Sequence, residues 1–145
     1  MNRYAFVRFN YSKPFNKVLR IVEAEETPTF IPEEAGLSNG FWVDITANPA
    51  VQVGWKGSNL TGEWIFSEPT FQDLEKDVAQ EVLELLNTAD QWLMLNPLQY
   101  KVDLGVATPA EGAQLLAYKQ YCVGVSEMKK QSGYPYTVTW PVAPF

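Results

Sequence analysis

The stretch SEPTFQDLEKDVAQEVLELL, residues 67–86, marks the point at which the apolar pattern of the chain changes its period. Before Pro69, short runs rich in aromatic and β-branched residues alternate with turns that contain Gly, Pro and Asn, which is typical of short β-strands. After Pro69, apolar residues recur at intervals of three and four, the repeat of one helix face. The sequence therefore predicts an α+β fold, with a β-rich module over residues 1–69 and a helical region with an extended C-terminal tail over residues 70–145.

The β-rich module is predicted to contain about five short strands, because its apolar runs are brief and are followed closely by turn residues. The first two runs, RYAFVRF and KVLRIVEA, flank a turn that contains Pro14 and are suited to pair as a hairpin. Strands of this length and spacing indicate a small meander that forms a sandwich or barrel-like unit. The predicted strands cover residues 3–9, 17–24, 41–46, 51–57 and 63–69.

The first helix is predicted to run from a cap at Thr70 to Asn96. Asp73 follows Thr70 at the spacing of a helix cap and places an acid in the first turn. The helix should end at Asn96, because a residue that precedes proline disfavours the helical conformation. We predict that residues 97–107 form an irregular connection.

The segment TPAE, residues 108–111, predicts the start of a second helix. Thr108 is suited to cap the helix, Pro109 to occupy its first position, and Glu111 to complete a capping box. Gly133 is suited to stop the helix. Its apolar side is predicted to comprise Leu115, Leu116, Tyr118, Cys122, Val123, Val125 and Met128.

The residue types available exclude several kinds of catalysis. The chain has no histidine and one cysteine, Cys122. It therefore lacks the commonest general base and metal ligand, so that Ser-His-Asp and Cys-His nucleophiles are excluded and a zinc site is nearly excluded. Cys122 falls on the apolar side of the second helix, which favours a buried structural thiol. We expect a protein that is not an enzyme and that holds no cofactor or metal.

Charge and hydropathy bear on nucleic acids and membranes. The formal net charge is −6, which argues against non-specific nucleic-acid binding through neutralised phosphates. Residues 3–13, RYAFVRFNYSK, interleave aromatic and basic residues, but an edge strand with outward-facing cations is the favoured interpretation. No apolar run approaches the roughly 18 residues of a membrane span. We expect neither a signal peptide nor membrane or nucleic-acid partners.

The tail SGYPYTVTWPVAPF, residues 132–145, contains aromatic residues and prolines but no charged residue. Aromatic residues are enriched at the centres of protein interfaces, where charge is depleted. The alternative, which we slightly favour, is that the tail folds back over the two helices and completes their core. The candidate partner-binding residues are Tyr134, Tyr136, Trp140, Pro141, Phe145, Trp42 and Trp55.

Several motifs together resemble the tail fibre assembly proteins of tailed bacteriophages and prophages. The front half contributes VGWKGSNLTGEWIFSEP at residues 53–69. The back half contributes the capped helix with an A-Y-K-x-Y-x-V core at residues 117–123 and a terminal W-P-x-x-P at residues 140–144. The resemblance covers most of the chain.

The resemblance implies a non-enzymatic chaperone in the host bacterial cytoplasm. Such a protein would bind the trimeric receptor-binding fibre, at its distal end, and promote its folding or trimer assembly. One alternative is a structural virion component, a fibre-tip or baseplate adaptor that stays on the particle. Another is a small carbohydrate-binding module in which Trp42, Trp55 and Trp64 form a stacking platform. Formation of a homo-oligomer is left open.

Overall fold

A computed structural model describes residues 1–145 and has the α+β fold predicted from the sequence. The chain separates into two compact units, residues 1–77 and residues 78–145. A domain boundary at residue 69 stays a prediction. The strands are β1 (Asn2–Phe9), β2 (Lys17–Ala24), β3 (Asn39–Asp44), β4 (Lys56–Ser58) and β5 (Ile65–Ser67). The helices are α1 (Phe71–Leu95), α2 (Leu98–Asp103) and α3 (Pro109–Ser126).

The five strands of the first unit form one antiparallel sheet in the order β3-β1-β2-β4-β5. The predicted hairpin of β1 and β2 is confirmed, whereas the predicted meander is wrong, because β3 pairs with β1. The prediction of an edge strand for residues 3–13 is also wrong, since β1 lies between β2 and β3. β1 is suited to this interior place because all residues from Tyr4 to Arg8 are buried, on both of its faces.

The fourth strand is shorter than the predicted residues 51–57. It begins at Lys56, because the preceding residues turn instead of extending. Gly54 has φ +94°, a conformation that favours glycine, and its N–H donates to the Val18 carbonyl at 2.8 Å. Val51 is fully buried. The turn therefore places an apolar side chain in the core without extending the ladder.

The apolar core of the first unit lies on one face of the sheet. Half-buried Trp55, Trp64 and Phe66 pack against its edge. The fully or nearly buried members of this core are Ala5, Val7, Val18, Val43, Ile45 and Val51.

The opposite face of the sheet is covered by the connection that follows β2. Phe6 packs edge-on against Trp42 at 5.3 Å between ring centroids. The Trp42 indole N–H donates to the Phe30 carbonyl at 2.7 Å. Arg20 donates to the Glu34 carboxylate at 2.7 Å and thereby holds the pKa of Glu34 below its usual value. The apolar core therefore covers one face of β1 and β3, and the connection that follows β2 covers the other.

The first turns of α1 belong to the sheet unit. The predicted cap is confirmed: Asp73 N–H donates to Thr70 Oγ1 at 3.1 Å and Thr70 N–H donates to Asp73 Oδ2 at 2.8 Å. Lys56 on β4 also donates to Asp73 at 3.0 Å, and Lys17 on β2 forms an ion pair with Asp77. The Thr70 N–H, together with Lys56, lowers the pKa of Asp73. Two ion pairs thus attach the helix start to the strands.

The second unit has its own apolar core. It is built from α1, α2 and α3, with half-buried side chains such as Trp92 and Leu93 packed at its edge. Its buried members are Ala89, Leu98, Leu115, Tyr118, Tyr121 and Val125.

Two predictions about the helical segments are corrected. The predicted irregular connection over residues 97–107 contains α2, which is anchored by Leu98 at 4% exposure. Its six residues are too few to show a helical repeat. On α3, Leu116 and Val123 are exposed although both were predicted to lie on the apolar side. Tyr121 takes the buried place instead.

The capping box predicted for α3 is confirmed, and its loss should be measurable. Glu111 N–H donates to Thr108 Oγ1 at 3.2 Å, and Thr108 N–H donates to Glu111 Oε1 at 3.1 Å. Thr108→Ala should lower the free energy of unfolding by about 1 kcal/mol, because one helix N–H loses its acceptor. Urea denaturation followed by circular dichroism measures this change. The exposed Thr27 provides the control: Thr27→Ala should leave the midpoint unchanged, and an equal loss in both variants would contradict a capping role.

Candidate partner-binding surfaces

The C-terminal residue of the tail packs onto the aromatic side chains of the helical unit. The Phe145 ring stacks on Trp92 at 4.8 Å and meets Tyr121 edge-on at 5.7 Å between centroids. It also lies 6.1 Å from the Tyr118 ring, which itself stacks on Trp92. Phe145 keeps 38% of its surface exposed. The tail therefore contributes a ring to the edge of the helical core.

Before it reaches Phe145, the tail is held by polar contacts with Gln131 and by an apolar contact with α3. The Gln131 side-chain amide donates to the Thr139 carbonyl at 2.8 Å and accepts from the Thr139 N–H at 2.7 Å. Pro141 packs against Gly124, where an added Cβ would lie 3.0 Å from the proline Cγ. The close contact between Pro141 and α3 thus depends on the absence of a side chain at Gly124.

The remaining candidate residues of the tail differ in exposure. Tyr134 and Trp140 are half-buried, as is Pro141, whereas Tyr136 has 67% of its surface exposed. The five tail candidates therefore lie on one unit, but only part of their surface is accessible. A role for them in partner binding stays a prediction.

Burial raises the pKa of two tyrosines in this ring cluster. Burial, with a hydrogen bond between its hydroxyl and the neighbouring Cys122 side chain, raises the pKa of Tyr118 to about 12. Burial likewise raises the pKa of Tyr121. Cys122 is half-buried and packs against the core of this unit. The cluster therefore offers an apolar surface and no charged group at neutral pH.

The two candidate residues outside the tail lie on opposite faces of the sheet. Trp42 meets the Phe6 and Phe30 rings edge-on, whereas Trp55 packs with Trp64 against the core face. Trp42, Trp55 and Trp64 consequently do not form one flat platform on which a sugar would stack. The predicted stacking platform, on which the carbohydrate-binding alternative was based, is therefore wrong.

The sheet unit also carries a row of aromatic rings that was not predicted from the sequence, and we call it the ring row. Successive centroids are 4.8 Å apart for Tyr11 and Phe9, 6.4 Å for Phe9 and Phe41, 6.3 Å for Phe41 and Trp64, and 6.0 Å for Trp64 and Phe66. Tyr11 is 92% exposed and Phe41 55% exposed. Because the five rings come from three separate segments of the chain, no single local motif contains them all.

A groove of about 540 Å³ lies beside the ring row, between the β1–β2 turn and the β4–β5 hairpin. Leu60 and Ile65 contribute exposed aliphatic surface, and Phe9 and Tyr11 are shared with the ring row. Such a concentration of exposed apolar surface marks an interaction site on many proteins. The ring row and this groove together form a candidate interaction surface on the sheet unit.

The structure contains no cluster of ligating side chains suited to a metal ion. None of its helices combines the length and apolar character needed to cross a membrane.

A family model matches nearly the whole chain. The model is described as Caudovirales tail fibre assembly protein, lambda gpK, and it matches residues 15–144. No curated protein and no solved structure matches the chain.

Proposed function

Because the chain belongs to the Caudovirales tail fibre assembly protein family, we propose that it is a non-enzymatic chaperone for a phage receptor-binding fibre. It binds the fibre near its distal end and promotes folding or trimer assembly. It acts in the cytoplasm of the host bacterium. The family match over residues 15–144 is the observation that carries this proposal.

The slow folding of the fibre explains why such a chaperone would be required. Long β-rich trimers form contacts between distant residues, so they fold slowly and expose strand edges and apolar surface meanwhile. A small protein that covers this surface would suppress aggregation until the trimer closes. The chaperone function requires binding alone and no bond-breaking chemistry.

The ring row is the surface that we propose for this contact. Aromatic side chains dominate the binding energy of many interfaces, and exposed Tyr11 and Phe41 present such side chains together with Leu60. The net charge of −6 disfavours a nucleic-acid partner for this surface. An apolar region of a folding fibre chain is a better match.

Co-expression with the fibre protein encoded beside its gene tests the function. We expect the fibre to be recovered as a trimer that adsorbs to host cells only when this chain is present. Fibre that trimerises and adsorbs equally well without it would overturn the chaperone proposal. The chain found in purified particles at fibre stoichiometry would instead indicate a structural virion component.

A double variant tests the surface. Tyr11→Ala with Phe41→Ala should fold but bind fibre at least about tenfold more weakly, because it removes two exposed interface aromatics. Leu37→Ala is the matched control, since Leu37 is fully exposed but lies outside the ring row. Co-purification measures both variants. Equal fibre recovery with the double variant would exclude the ring row as the contact.

A further inference from the structure

The two edges of the sheet differ in how they are protected. The β5 edge is three residues long and is flanked by exposed Glu63 and Glu68, with Pro69 directly after it. Short length, charge and proline are the features by which proteins prevent strand addition at an edge. β3 has six residues, contains no proline or lysine and carries a single charge at Asp44. The β3 edge therefore lacks the usual protection.

The hydrogen-bonding pattern shows which backbone groups of β3 point away from the sheet. Ile45 N–H donates to the Arg3 carbonyl at 2.8 Å, one position beyond the pair of Tyr4 and Asp44 and in the same register. Since antiparallel residues alternate between bonding inward and outward, Val43 and Phe41 also bond to β1. The N–H and C=O groups of the alternate residues face outward, and these residues are Gly40, Trp42 and Asp44.

Side chains on both faces of the edge favour an added strand. Phe41 projects on the core face with 55% of its surface exposed. Trp42 projects on the opposite face, where Phe30 holds its indole in place. Cross-strand contacts with aromatic residues are among those that stabilise a sheet pair most. An extended chain placed along β3 would gain backbone bonds and an aromatic contact on each face.

We propose that the outer edge of β3 binds an extended segment of the fibre polypeptide by strand addition. The inference rests on the proposed chaperone function and deepens it, because it names the backbone of an unpaired fibre strand as the ligand. The outward N–H and C=O groups of β3 form a row of donors and acceptors, and the backbone of an extended chain carries matching groups at the same spacing. Recognition through backbone groups leaves the fibre sequence free to vary.

Amide hydrogen exchange of the full-length protein, alone and in complex with the fibre, tests the proposal. We expect the amides of Gly40, Trp42 and Asp44 to exchange at least about tenfold more slowly in the complex, because each gains an acceptor. The amides of Phe41 and Val43, already bonded to β1, serve as internal controls and should change little. A complex that leaves the three outward amides unprotected would overturn strand addition while leaving the chaperone function standing.

A matched pair of variants at Asp44 gives a second test. The Asp44 carboxylate accepts from Thr46 N–H and Thr46 Oγ–H, and both variants lose these bonds. Asp44→Pro also removes the outward N–H, at an edge position that tolerates proline, whereas Asp44→Ala keeps it. We expect Asp44→Pro to bind fibre about tenfold more weakly than Asp44→Ala, since one backbone bond is lost.

The outcomes separate the strand-addition proposal from its alternatives. Equal fibre binding by the two Asp44 variants, with both folded by circular dichroism, would overturn it. Concentration-dependent protection of the same amides without fibre would also overturn it and would identify the occupant as a second copy of this chain. Failure of the wild-type protein to bind any fibre would instead contradict the proposed function itself.

Discussion

Gly40→Ala should lower the free energy of unfolding by about 3 kcal/mol, a large effect for one added methyl group. A Cβ at position 40 would lie 2.4 Å from the Phe6 ring and 2.6 Å from the Val7 carbonyl oxygen. The carbonyl belongs to the backbone of β1 and has no freedom to move. Phe6 is 2% exposed and packed against Trp42, so the ring has no free space into which it can rotate.

A second glycine supplies a control of opposite sign. Gly112 lies in α3, and a Cβ added there meets nothing within 4 Å. Gly112→Ala should raise the free energy of unfolding by about 0.5–1 kcal/mol, because alanine is the better helix former. Urea denaturation of both variants measures the effects. A neutral Gly40→Ala would show that Phe6 and β1 rearrange at little cost and would contradict the close packing at the β3 edge.

The sequence predicted the elements whose signals are long or local. The apolar repeat of α1 persists over 25 residues, and the TPAE segment carries the complete capping box of α3. α2 was missed because a six-residue helix shows no period, and its stability depends on the burial of Leu98. The place of β3 beside β1 was also missed, since strand order depends on contacts between residues that are distant along the chain.

The candidate surfaces were predictable only in part, for a similar reason. The uncharged, aromatic composition of the tail indicated that it packs against something, but composition does not specify the partner ring. The ring row was missed because Phe9, Phe41 and Phe66 each fit an ordinary alternating strand pattern. The three rings come together on one surface only in the folded sheet unit.

Removal of the tail should destabilise the helical unit substantially. Phe145→Ala should cost about 2 kcal/mol, less than for a fully buried phenylalanine because the ring is 38% exposed. Deletion of residues 134–145 should cost more, since it also removes Pro141 from Gly124 and exposes Trp92 and Tyr121. Urea denaturation followed by far-ultraviolet circular dichroism reports on the helices. Val142→Ala is the control, because Val142 is 90% exposed.

The same variants decide whether the tail also binds the fibre. If its role is confined to the helical core, Phe145→Ala should unfold earlier in urea but co-purify with fibre as well as the wild type under native conditions. Loss of fibre binding by a folded Phe145→Ala protein would show that the ring contacts the partner as well. Unchanged stability after deletion of residues 134–145 would contradict the packing of Phe145 on Trp92, Tyr118 and Tyr121. Stability and fibre binding therefore have to be measured on the same protein preparations. A variant can lose fibre binding because it is partly unfolded or because the ring that contacts the fibre is gone, and only the stability measurement separates the two causes.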